Sequence, residues 1–207
     1  MKVVGWVLLG LVFLAGIIVV ATWNSLNTKN QAVLGGKSLC SSALANCTEK
    51  IKMVWTANQQ QFEFEKETLR VVTEARNSFE AAMKAFNDAA AKSGETDTQK
   101  LTQLADAAYR SALAVNVQIE AYPELHSSEI TKENARNMEA SVDQVKAAFD
   151  DWIVAIQRYN TTRGGFFTTI VASLFSGRFP ESYAYYEGPV NELNTDLLNP
   201  QAAGGTK

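Results

Sequence analysis

One histidine, His126, two cysteines, Cys40 and Cys47, and four prolines are all that the 207 residues hold of those types. So little imidazole and thiol leaves almost no material for a metal site or for nucleophilic catalysis. His126 has no second His or Cys near it in sequence and reads as a solvated turn residue after Pro123. No charge of one sign dominates: 19 basic residues stand against 22 acidic ones. The basic stripe that nucleic-acid binding needs is therefore missing. No Gly-rich phosphate loop, Ser/His/Asp set or paired-carboxylate motif rises above chance. These gaps argue against an enzyme, a metal site, a cofactor and a nucleic-acid partner.

What the chain does have is an apolar start. From Val3 to Ala21 there is no charged or strongly polar side chain. As a helix this run measures roughly 28 Å, close to the hydrocarbon thickness of a bilayer. Trp6 and Trp23 stand near its two ends, where amphipathic rings favour the headgroup region. Val19-Val20-Ala21 resembles a signal cleavage site, yet the run is longer than a signal core and helix-compatible sequence follows it directly. A retained anchor with the lipid bilayer as partner is expected. Lys2 precedes the run while Lys29 and Lys37 follow it, so the positive-inside rule leans by one charge toward a cytoplasmic body.

The rest is rich in helix formers. Trp23 to Leu34 extends the anchor, Gly35-Gly36 offers a break, and a helix is expected from near Lys37 to about Lys92. Within it Trp55, Phe62, Leu69, Val72, Phe79, Met83 and Phe86 form a heptad stripe, interrupted by Asn58, Glu65 and Arg76. Thr96 to Gln99 reads as a capping box for the next helix, whose apolar face is Leu101, Leu104, Ala108, Val115 and Ile119 and whose stop is Pro123. A further helix over about Thr131–Arg158 carries Ala135, Met138, Val142, Val145, Phe149, Trp152, Ile156 and Tyr159, spaced alternately three and four apart. Eight such hits in a row define a seam that must be buried. Short links between long amphipathic helices imply antiparallel neighbours. The expected fold is all-α: a transmembrane helix over 3–21, an up-and-down four-helix bundle over 23–163, an apolar segment over 164–187 and a flexible tail over 188–207.

Several motifs, taken in order, resemble the LemA family of small bacterial membrane-anchored proteins. Glu65-Lys66-Glu67-Thr68-Leu69 with Val72-Thr73-Glu74-Ala75-Arg76 is similar to its signature in the second bundle helix. Trp23-Asn24-Ser25-Leu26 resembles the segment after its anchor, and Glu120-Ala121-Tyr122-Pro123-Glu124-Leu125 its helix-ending motif. Gln157-Arg158-Tyr159-Asn160, then Ile170, Ala172, Leu174 and Phe175, follow the order of its C-terminal signature. Lys37 to Val54, with both cysteines, departs from the family pattern. The resemblance implies a single-pass anchor in a bacterial-type cytoplasmic (inner) membrane, a four-helix bundle and no enzymatic activity.

Three groups of residues stand as candidate sites. Cys40 and Cys47 on one helix lie about 10 Å apart, too far for a disulfide, whereas a loop opened by Gly35-Gly36 would permit one; the unpaired reading is favoured. Glu65, Glu74 and Arg76 form a polar cluster on or beside the second-helix stripe. Such a cluster is either an ion-paired register device or the wall of a small-ligand pocket. Phe166, Phe167, Ile170, Leu174 and Phe175 belong to an apolar segment ended by Pro180 and flanked by Arg163 and Arg178. It either completes the core or faces lipid or a second copy of the chain, giving a homo-oligomer. In the second case Phe167, Ile170, Val171 and Leu174 share a face opposite Thr169 and Ser173. A membrane-anchored scaffold acting through these surfaces is the leading expectation, and a pocket near Arg76 the alternative.

Overall fold

The computed structural model describes residues 2–58, 66–92, 97–122, 129–175 and 177–186. They form five helices, α1 (Lys2–Asn58), α2 (Lys66–Lys92), α3 (Thr98–Ala121), α4 (Glu129–Arg163) and α5 (Phe166–Leu174), with no strand among the described residues. His126 and Glu65, the tail over 188–207 and the Thr96 end of the expected capping box lie outside them. The all-α bundle with a long apolar helix at its N-terminus is what the periodicity predicts.

Helix α1 runs for 57 residues, about 86 Å at the usual rise. Its first part is long and apolar enough to cross a membrane, and none of it is buried in the protein. Its second part is a bundle helix. Leu26, Asn30, Val33, Gly36, Cys40, Leu44, Cys47, Ile51 and Val54 are all buried, at spacings of three and four. This is a heptad-like seam, and it packs chiefly on α4.

Two expectations about this region are corrected. Gly35-Gly36 does not break the helix. A Cβ on Gly36 would sit 2.8 Å from Trp152 Cδ1 and 3.0 Å from Trp152 Cα, so glycine there allows α1 and α4 to approach closely. The surrounding packing supplies what glycine costs the helix. Nor is there one helix from Lys37 to Lys92. The Arg76 guanidinium lies 4.9 Å from the centre of the Trp55 ring. Twenty-one residues of unbroken helix would separate the two by about 31 Å. The chain folds back between them, and the single stripe read from Trp55 through Phe86 is two seams on two antiparallel helices.

The other seams behave as their spacing requires. Val72, Phe79, Met83 and Phe86 of α2 are buried, as are Leu101, Ala105, Ala108, Ala112, Val115 and Ile119 of α3. In α4 the eight-residue seam is buried from Met138 to Tyr159, with Ala135 packed against its edge. The N-cap of α3 is Asp97, which makes no side-chain cap hydrogen bond.

Alternating helix directions place the start of the α1 bundle segment, the end of α2, the start of α3 and the end of α4 together at the end nearest the apolar run. An extended strap over residues 177–186 crosses that end. Gly177 turns the chain into it with a positive φ of 91°, a conformation glycine adopts without strain. Asn160 clamps Tyr183 through both backbone groups, its Nδ2 donating to the carbonyl and its Oδ1 accepting from the N–H, each at 2.9 Å. The Tyr183 hydroxyl, fully buried, donates to Asn30 Oδ1 at 2.6 Å. Tyr159 donates to the Pro180 carbonyl at 2.6 Å. Thr98 Oγ1 donates to the Ala184 carbonyl, and Thr102 Oγ1 accepts from the Tyr186 N–H at 2.9 Å. One short segment thus joins α1, α3 and α4.

Candidate functional site

The three candidate groups fare differently. Of the polar cluster, Glu65 lies outside the described residues, while Glu74 and Arg76 each pair with another residue. Glu74 is exposed and pairs with Arg70 one turn back, at 2.8 Å. Arg76 pairs with Glu80 one turn forward, at 2.7 Å, and stacks on Trp55. Both are ordinary i,i+4 surface pairs worth a few tenths of a kcal/mol, about 0.3–0.5. The cavity beside Arg76, walled by Ile51, Val54, Trp55, Val72 and Ile119, holds about 10 Å³. That is room for one water at most, so this cavity, as the described residues line it, is too small for a small-molecule ligand. A larger cleft of about 150 Å³ opens between the far ends of α3 and α4, lined by Asn116, Glu120, Lys132, Arg136 and Glu139. Its charges are mixed in sign. Among the described residues no group of three or more His, Cys, Asp or Glu side chains is placed to hold a metal ion.

Cys40 and Cys47 are free thiols, fully buried in the α1 seam. The unbroken helix removes the loop a bridge would have needed. Burial pushes the Cys40 thiol up to about 12, because a thiolate would be desolvated there. Burial also raises Cys47, against the opposing pull of a hydrogen bond from Ser141. Buried neutral thiols are poor nucleophiles and serve as small apolar packing groups.

The apolar C-terminal segment is where surface and position coincide. It forms α5, set off from α4 by Gly164-Gly165. Gly165 is its N-cap, and the Thr168 hydroxyl ties the turn by donating to the Thr162 carbonyl at 2.6 Å. Val171 and Ala172 are buried against the bundle, so Val171 belongs to the packed side rather than to the outward apolar face. Phe166, Phe167, Ile170, Leu174 and Phe175 are exposed, Phe166 at 73% and Leu174 at 67%. Covering such side chains would contribute about 1.5–3 kcal/mol each.

Helix α5 lies where the apolar run of α1 ends. Leu26, Ala172 and Phe179 form a small core of their own, with Trp23 against it. Trp23 meets Phe175 and Phe179 edge to face, at 4.5 and 4.9 Å between ring centres. The Arg178 guanidinium sits 5.5 Å from the centre of the Trp23 ring. Sequence reasoning found the apolar residues of α5 but not their junction with Trp23, nor the strap. The signals available were the aromatic residues clustered after Pro180 (Tyr183, Tyr185 and Tyr186) and the Trp at the end of the apolar run.

The family model of the LemA family matches residues 41–195, about three quarters of the chain. The matched stretch takes in the second half of the α1 seam, all of α2 to α5 and the strap. The Trp23-Asn24-Ser25-Leu26 likeness falls before it. No curated protein and no solved structure matches the chain.

Proposed function

This chain belongs to the LemA family, and we propose that it works as a membrane-anchored, non-enzymatic scaffold. Residues 3–21 of α1 hold it in the bilayer, and the bundle carries interaction surfaces beside the membrane. The observation that carries this reading is the continuity of α1. None of its apolar part is buried in the protein, and it passes without a break into the buried bundle seam. A rod of that kind, with Leu8, Leu11, Val12 and Phe13 all exposed, demands an apolar surrounding. The family resemblance points to a bacterial-type cytoplasmic membrane, and Lys29 and Lys37 against Lys2 favour a cytoplasmic bundle. The scaffold reading rests on what the bundle offers: long helical faces, paired surface charges and one exposed apolar helix. Self-association through that surface would give a homo-oligomer.

The test is membrane extraction of the full-length protein together with mass spectrometry of its N-terminus. The expected result is a protein that resists alkaline carbonate, is released by detergent and retains the Val3–Ala21 peptide. A mature chain beginning near Thr22 and recovered in the soluble fraction would refute the anchor.

A further inference from the structure

The exposed side chains of α5 define more than an apolar patch. At 3.6 residues per turn the side chains of the nine-residue helix sort into three arcs, the apolar and hydroxyl arcs adjoining at Phe166 and Ser173 and the buried one lying opposite the apolar arc. Phe166, Ile170, Leu174 and Phe167 occupy one exposed arc. Val171 and Ala172 are buried against the bundle on the second. Thr169 and Ser173 are exposed on the third, their hydroxyls turned back onto the carbonyls of Gly165 and Thr169. One helix therefore presents an exposed apolar arc, a buried arc and an exposed polar arc.

We propose that α5 lies in the headgroup layer of the same bilayer that the apolar run of α1 crosses, as a second membrane contact that fixes how the bundle stands on its anchor. This rests on the anchored reading above. Position selects lipid over a second copy as the occupant of the face. Leu26 and Trp23, just past the end of the apolar run, pack on Ala172, Phe175 and Phe179, so α5 is held at the depth where α1 leaves hydrocarbon. Arg178 over Trp23 puts a cation beside an indole at that same level, where lipid phosphates lie. The contacts with Trp23 and Leu26 hold α5 beside the end of the span rather than out on the bundle's flank. A helix with an apolar face, a polar face and flanking cations is the interfacial type. The contact with α1 fixes the rotation of α5 about its own axis.

Site-directed spin labelling of the full-length chain, reconstituted in phosphatidylethanolamine–phosphatidylglycerol vesicles, tests this. Phe167→Cys, Leu174→Cys and Ser173→Cys place probes on the exposed faces without touching the core, and Leu9→Cys marks the span. The native thiols are buried and label only when the protein unfolds. Labels at positions 167 and 174 should meet dissolved oxygen several-fold more readily, relative to a water-soluble nickel chelate, than the label at 173. Their depth should be shallower than that at position 9. If position 9 reports hydrocarbon while 167 and 174 match 173, the interfacial placement is wrong and the anchor stands. If position 9 reports water, the anchor fails and the inference with it. Dipolar broadening at 167 or 174 that disappears on dilution with unlabelled protein would mean that a second copy covers the face, and would overturn the proposal.

Discussion

Adjacent glycines in α1 offer an internal control for how closely the bundle is packed. A Cβ at Gly35 meets nothing within 4 Å, whereas a Cβ at Gly36 meets Trp152 at 2.8, 3.0 and 3.1 Å. Two of those three atoms are the Cα and Cβ of Trp152, so no rotamer change at 152 relieves the contact. Helix α4 itself must move by a few tenths of an ångström along the bundle's most extensive interface. Overpacking of that kind costs about 1–3 kcal/mol. Each replacement also gains about 1 kcal/mol of helix propensity, and that gain is common to both. Gly35→Ala should therefore stabilise by up to about 1 kcal/mol, and Gly36→Ala should fall about 1–3 kcal/mol below it. The assay is denaturant unfolding of the full-length protein in detergent, followed by far-ultraviolet circular dichroism, with equal slopes confirming that only stability has changed. Equal midpoints for the two variants, or a higher one for Gly36→Ala, would refute the close approach of α1 to α4.

Trp152→Ala, which empties the fully buried centre of the α4 seam, should destabilise by about 3–5 kcal/mol in the same assay. Tyr183→Phe removes the hydroxyl that donates to buried Asn30 and should cost about 1–3 kcal/mol, seen as faster limited proteolysis of the strap. In the native protein at pH 8, Cys40 and Cys47 should alkylate at least about a hundredfold more slowly than in denaturant, as thiol titration would show. Folding raises Cys40 from 9.0 to about 12, and burial raises Tyr159 above its ordinary 10.0. Above pH 9 the unfolded chain ionises first, so stability is full below that pH and declines from there toward pH 12. Cys40→Ala should flatten the first part of that decline in a thermal melt; an unchanged slope would remove Cys40 from the account.

The seam of α4 was legible because large apolar residues fill it at regular spacing, and that of α3 through Leu101, Val115 and Ile119, with the alanines between them carrying less signal. The α1 seam follows the same rule, yet it is hard to see. Val33, Cys40, Cys47 and Val54 are spaced seven apart, but with Asn30 just before them and Gly36 among them the line does not look apolar. Judged as a possible pair, the cysteines hid their common periodicity. Gly36 reads locally as a helix breaker, and only the facing Trp152 makes it a packing residue. The false continuity from Trp55 to Phe86 arose because an antiparallel return can preserve heptad phase, and phase alone does not report a reversal. The outward residues of α5 were recognisable by composition. Their meeting with Trp23 was not, since it depends on a tertiary contact spanning most of the chain.

The pairing of α1 with α4 bears on how the protein comes into being. The first helix synthesised finds its main partner in the last long one, which begins at Glu129, and the bond from Tyr183 to Asn30 spans 153 residues. Until then most of the α1 seam lacks its main partner and only its C-terminal end can meet α2 and α3, which can already close on each other as a local hairpin. Assembly is therefore non-local in its decisive step, with Leu26, Val33 and Leu44 uncovered on the nascent chain. A chain truncated before Tyr183 would leave the ribosome with its first helix made and its final fastening absent.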